Sequence, residues 1–175
     1  MESGCGESGG RLTDVQKAAF SAFFEAHGQL SKRIERRLEQ ANVVGLETYD
    51  VLLNLELAPG QRLRMRELAE RIVYSRSGLT RLADRLEAQG LITRVACVHD
   101  RRGMDLVITE AGLRARSEAW RVFSDAVAEL FSPHLSDPEA ASIARIFRAM
   151  VSALAGNSPS PESTCGGPGP GCGEA

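Results

Sequence analysis

The strongest constraint on this chain is a pair of short helical patterns separated by almost nothing. Leu68, Ala69 and Ile72 mark one face of a helix over residues 66–73, and after Tyr74 and Ser75 the pattern restarts with Leu79, Leu82, Ala83 and Leu86. Apolar residues three and four apart share a helix face. The second helix, over residues 77–89, is predicted to stop at Gly90, because glycine accepts the left-handed conformation that ends many helices. Two short helices joined this tightly form a helix-turn-helix candidate. The stretches 91–97 and 105–109 then alternate or run apolar and β-branched around the charged segment 98–104, which reads as a β-hairpin with a charged tip.

The flanks are helical. Thr13 and Gln16 have capping-box spacing, and Val15, Ala19, Phe23, Ala26, Leu30, Ile34 and Leu38 recur at helical intervals, predicting a first helix over 14–40. Phe20 and Phe24 add apolar surface on a neighbouring side, more than one stripe requires. A helix over 47–57 stops at the Pro59-Gly60 turn, and a short extended segment covers 62–65. From Glu110 a second long helix runs through Leu113, Trp120, Phe123 and Val127 to Pro133. Ser136 and Glu139, with Pro138 between them, open a last helix carrying Ile143, Phe147, Met150 and Leu154. The fold class expected is mainly α with a small β-hairpin wing. One domain spans 13–156, with the winged helix-turn-helix at 46–109 and pairing helices at 14–40 and 110–156. The stretches 1–12 and 157–175 are Gly-, Pro- and Ser-rich tails, expected to be disordered.

Charge is distributed unevenly. The net charge is −2, yet residues 61–104 hold ten arginines against five acidic residues, while the remainder holds eleven basic against eighteen acidic. A basic block in an otherwise acidic chain is the footprint expected where one face meets phosphate. On the 77–89 helix the apolar positions leave Ser77, Thr80, Arg81, Asp84 and Arg85 outward, a face that suits the major groove, where Arg bonds guanine edges and Ser or Thr bonds a base or a phosphate. Ser75 is placed as N-cap, and a helix N-terminus favours phosphate. Gly78 inside a helix costs on the order of 1 kcal/mol relative to Ala, which close approach of DNA would explain. At the hairpin, Arg101 and Arg102 suit a narrow minor groove, with Asp100 holding an arginine in place.

These motifs together resemble the MarR family of regulators. The resemblance rests on Leu68-Ala69-Glu70-Arg71, Ser75 to Leu82, Asp84-Arg85-Leu86-Glu87, Gly90-Leu91-Ile92, and Asp100-Arg101-Arg102 leading to Leu106-Val107-Ile108-Thr109. It implies a homodimer interlocked through the first and last two helices, acting as a repressor on a palindromic double-stranded DNA site. By the family pattern Arg76, Ser77, Thr80 and Arg81 touch bases or phosphates, Arg102 enters the minor groove, and Arg85 and Arg101 contact the backbone. Arg62 and Arg64 are weaker candidates, and Arg94 is structural. The family also implies a small aromatic or lipophilic effector, for which Phe24, His27 and Tyr49 are the lining candidates, beside Phe20 and Trp120; ordinary core packing competes for each.

Other chemistry finds little footing. Cys5, Cys165 and Cys172 lie in the tails, Cys97 stands alone, and His27, His99 and His134 show no paired metal-ligand spacing, so no cofactor is expected. Cys97 supports one alternative, a ligand- or redox-sensing module on the same scaffold without tight DNA binding. No nucleophile-elbow or phosphate-loop pattern suggests an enzyme. No apolar run nears the roughly 18 residues of a membrane span, and the start lacks signal-peptide order, so a cytoplasmic location is expected.

Overall fold

A computed structural model of the chain describes residues 12–72, 76–97 and 100–156, with the backbone alone at 76, 77, 97, 100–103, 155 and 156. The elements run α1 (Asp14–Gln40), α2 (Leu46–Glu56), a 3-10 turn (Pro59–Gln61), β1 (Arg62–Arg64), α3 (Met65–Arg71), α4 (Arg76–Ala88), β2 (Ile92–Cys97), β3 (Asp100–Ile108), α5 (Glu110–Leu130), a second 3-10 turn (Ser132–His134) and α6 (Asp137–Gly156). This is the mainly helical winged helix-turn-helix expected from the sequence.

Local chemistry sets the boundaries. α1 opens on a reciprocal capping box in which the Thr13 N–H donates to Gln16 Oε1 at 2.9 Å and the Gln16 N–H to Thr13 Oγ1 at 3.2 Å. α4 ends where Gly90 turns to φ +71°, with Gly90 N–H donating to the Glu87 carbonyl and Leu91 N–H to that of Leu86. Before α6 the Glu139 carboxylate accepts from both the N–H and the hydroxyl of Ser136, which holds it below the usual carboxylate range. α2 has no capping side chain of its own at Gly45. Glu35 of α1 supplies it instead, accepting the Leu46 N–H at 2.7 Å, and a Cβ at Gly45 would sit 2.5 Å from Glu35 Oε1.

The three strands form an antiparallel sheet in the order β1-β3-β2. Arg62–Arg64 pair with β3 opposite Val107 to Asp105, and β2 pairs with the other edge of β3 from Ile92↔Ile108 to Ala96↔Met104. Two cores result. In the first, Val51, Leu52 and Leu55 of α2 meet Leu63, Leu68, Leu79, Leu82, Leu86, Ile92, Leu106 and Ile108. In the second, the opposite side of α2, at Tyr49, meets Ile34 and Leu38 of α1 and Ala119 and Ala126 of α5. α2 is thus apolar on two sides, and α5 also spans both cores, since Leu113 and Ala115 near its start pack on the first.

Three expectations need correction. β3 starts at Asp100 rather than 105, because Cys97 pairs with Asp100 across an irregularity after Ala96. The alternation of apolar residues fades where the hairpin leaves the core, although the ladder continues. α3 is shorter than 66–73, with Ile72 already extended at φ −111°, ψ 148°. Gly78 is the third residue of a helix beginning at Arg76, so it lies in the first turn rather than the helix interior.

Candidate nucleic-acid interface

α4 separates its two faces cleanly. Leu79, Leu82, Ala83 and Leu86 are buried, whereas Gly78, Thr80, Arg81, Asp84 and Arg85 are exposed. Of the outward residues expected from the sequence, Thr80, Arg81, Asp84 and Arg85 therefore share one exposed surface. Arg76 and Ser77 sit in the first turn of α4, with side chains outside the described part of the structure, and Ser75 lies outside the described residues. Asp100, Arg101 and Arg102 open β3, again as backbone only, so the wing motif lies on a strand rather than in a loop.

Electrostatics distinguish the exposed charges. Arg81 forms no ion pair among the described residues. Arg85 rests 3.7 Å from Glu47 of α2, with both side chains more than half exposed, a pairing that water screens heavily. Asp84 faces the wing: Arg94 on β2 reaches it at 2.6 Å and Glu87 at 2.5 Å, while the Arg94 N–H donates to Glu87 Oε1 at 3.1 Å. The hydrogen bond to Asp84, followed by that to Glu87, raises the Arg94 pKa against the opposing effect of burial. Charge-assisted bonds of this length are among the stronger protein hydrogen bonds, so the triad fixes the wing to α4. Arg94 was legible as structural, but its partners, ten and seven residues earlier, were not.

Arg62 is exposed, and Arg64 is the N-cap of α3, its N–H donating to Glu67 Oε2 at 3.0 Å. A groove of about 400 Å³ bounded by Met65, Arg66, Ala69, Leu79 and Thr80 separates α3 from α4. At the far end of the winged unit, Thr109 caps α5 by accepting the Gly112 N–H, and its hydroxyl lies 2.7 Å from the Gly90 carbonyl oxygen. Glu56 of α2 and Arg116 of α5 form a largely buried ion pair in which Glu56 Oε2 and Arg116 Nε find no hydrogen-bond partner among the described residues.

The effector candidates do not form one cluster within the chain. Tyr49 is buried and stacks on Phe123 at 5.0 Å between ring centroids, and burial pushes its hydroxyl pKa up. Phe24 is exposed on α1 and stacks on Phe20, and His27 is exposed and tilts against Phe23. Among the described residues no group of His, Cys, Asp and Glu is arranged to hold a metal ion, and no helix is long and apolar enough to cross a membrane. The Cys97 side chain lies outside the described part.

Comparison with known proteins agrees with this geometry. The profile of the MarR family matches residues 44–103, from just before α2 to the start of β3. The chain is 28% identical over 101 residues to the HTH-type transcriptional repressor MdtR of Bacillus subtilis, covering 58% of this chain and 61% of that protein's length. It is 32% identical over 126 residues to the transcriptional repressor MprA of Escherichia coli, covering 71% of each. Among solved structures, AbsC, a MarR family transcriptional regulator from Streptomyces coelicolor, superposes with a TM-score of 0.74 at 27% identity, over 85% of this chain and 99% of that one. Sco3205, a MarR family regulator from the same organism in complex with DNA, gives 0.75 at 27% identity over 85% and 93%. With its buried-and-exposed α4, its wing tied to that helix, and these relatives, the chain belongs to the MarR family of DNA-binding transcriptional regulators.

Proposed function

We propose that the protein is a homodimeric repressor acting in the cytoplasm on a palindromic operator. Each α4 enters a major groove, and each wing reaches the adjoining minor groove. Support comes chiefly from α4, whose buried side fixes it to the lobe while its opposite side presents Thr80 and Arg81, the latter with no ion pair among the described residues. In this reading Ser77, Thr80 and Arg81 read bases and Arg102 anchors in the minor groove, oriented by Asp100. Arg76, Arg85 and Arg101 hold phosphates, Ser75 and the start of α4 bind one, and Gly78 lets the backbone come close.

Pairing of two copies would use the apolar surface that one chain leaves open. Val15, Phe20 and Phe24 of α1 are 80%, 63% and 69% exposed, and Met150, Val151 and Leu154 of α6 are 51%, 64% and 68% exposed. Phe23 and Phe147, 5.0 Å apart, join the two helices into one patch. Large contiguous apolar patches on a folded chain mark interaction surfaces. Release by a small aromatic or lipophilic effector would use Tyr49, with Phe24 and His27 brought near it in the dimer.

Fluorescence anisotropy with duplexes selected from a random pool tests the whole. Nanomolar binding whose log affinity falls with log salt is expected, at half-sites centred about 10–10.5 base pairs apart or a multiple of that. Arg81→Ala should cost about 1–3 kcal/mol and relax sequence preference, and Arg102→Ala should weaken binding across sequences more evenly. Binding to no duplex, or equal affinity for every sequence, would overturn the proposal.

A further inference from the structure

One charged pair is buried where it adds little to stability. Arg116 of α5 donates through Nη2 to Glu56 Oε1 of α2, and the two side chains are only 20% and 23% exposed. Two further atoms, Glu56 Oε2 and Arg116 Nε, are buried with no hydrogen-bond partner among the described residues. Both groups have left water for a single mutual contact. Desolvation of this kind often cancels the attraction, so apolar residues of similar volume would hold the site as well or better. Direction is what the pair supplies and apolar packing does not, because a planar guanidinium bonds a carboxylate in few orientations.

The place of the pair in the fold indicates what that direction controls. α2 and α5 both take part in the two cores. On α5, Ala115 packs on the first core and Ala119 on the second, and Arg116 lies between them. On α2, Leu55 belongs to the first core and Leu53 packs on the second, just before Glu56. The pair therefore occupies the seam between the winged lobe and the helices that leave apolar surface open. Apolar burial is non-directional, so a seam closed by it alone tolerates small rotations. Among the described residues no other ion pair joins α2 to α5.

We infer that Glu56 and Arg116 are positioning residues that fix the rotation of α2, and with it the winged lobe, against α5. When two copies pair, this rotation sets the separation of the two α4 helices, and so the half-site spacing that a duplex must offer. Neither residue touches DNA in this reading; each acts through the orientation of the lobe. The inference rests on the proposed pairing of two copies, and not on which side chains of α4 read bases.

Two measurements on the full chain test it. The first needs no DNA: a nitroxide-bearing residue in place of Ala88, exposed at the end of α4, reports the distance between the two α4 helices by pulsed electron spin resonance. The parent should give one narrow distribution, and Glu56→Leu combined with Arg116→Met, while folded by circular dichroism, one about twice as wide or more. Arg116→Lys keeps the charge without the planar fork, so it should also widen the distribution and carries the test if the double variant fails to fold. Exchange of the pair, Glu56→Arg with Arg116→Glu, should narrow it again. The second measurement uses palindromic duplexes with half-sites shifted by one base pair, which should bind the parent about tenfold more weakly and the double variant within about threefold of the unshifted duplex. A distribution as narrow as the parent's in both the double variant and Arg116→Lys would overturn the inference, as would failure of two copies to pair. Widening as described in a protein that binds no duplex would support it and overturn the operator reading alone.

Discussion

Gly112 is the position where a single methyl group should do most damage. It is the third residue of α5, and a Cβ there would lie 2.2 Å from the Leu91 carbonyl oxygen and 2.8 Å from Ile108 Cγ1. Two effects oppose each other in Gly112→Ala. Alanine is the better helix former by about 1 kcal/mol in a helix interior, and somewhat less in a first turn. Against that, overpacking a filled site costs typically about 1–3 kcal/mol. Here the obstructing atom is backbone, and it is also tied down: the Leu91 carbonyl accepts the Thr109 N–H at 3.1 Å and lies 3.0 Å from the Thr109 hydroxyl. Retreat of Leu91 would stretch these bonds, each worth about 1 kcal/mol net. The clash therefore wins, and a net loss of about 2–3 kcal/mol is expected. Urea unfolding followed by circular dichroism at one fixed protein concentration measures it, since the stability of an associating protein depends on concentration. The midpoint should fall with an unchanged slope, the signature of a stability change without a change in the surface exposed. Gly112→Ala as stable as the parent would refute the reasoning, because it would mean that the junction of wing and α5 has room the geometry denies it.

Arg94→Met should weaken DNA binding about tenfold or more while the variant remains folded, because Asp84 and Glu87 regain uncompensated charge beside the exposed side of α4 proposed to meet DNA and the wing loses its tie to α4; anisotropy beside a thermal melt separates the two effects. Arg116→Met alone should destabilise by about 3 kcal/mol by stranding a buried carboxylate, and Glu56→Leu combined with Arg116→Met should be more stable than that single variant, as denaturant midpoints would show. The hydrogen bond and charge of Arg37 depress the folded pKa of Glu129, so its contribution to stability is present above the ordinary carboxylate range and is lost as pH falls through the folded value. Glu129→Gln should accordingly flatten the acid side of a melting-temperature profile, and an unchanged profile would remove Glu129 from the account.

Much of this architecture was legible because it is written locally. The apolar spacing of Leu79, Leu82, Ala83 and Leu86 determines which side of α4 is buried, and so which residues face out, whatever the helix packs on. Thr13 with Gln16, Gly90, Thr109 and Ser136 with Glu139 punctuate the helices through contacts within a few residues or through glycine's backbone freedom. The order of the motifs then pointed to the family.

Only the tertiary structure decided which distant residues meet. Glu35 caps α2 from another helix, Arg94 pairs with Asp84 from the wing, Glu56 joins Arg116, and Gly112 is required by a carbonyl twenty-one positions earlier. Periodicity shows that Tyr49 and Val51 are apolar, but not that they serve two different cores on opposite sides of α2. Nor does it show that Tyr49 is buried against Phe123 while Phe24 and His27 stand exposed on α1. The physical reason is range. Burial stripes and caps are fixed by neighbours in sequence, whereas charge pairs and close approaches between elements depend on how the helices cross, which no repeat within a single element encodes.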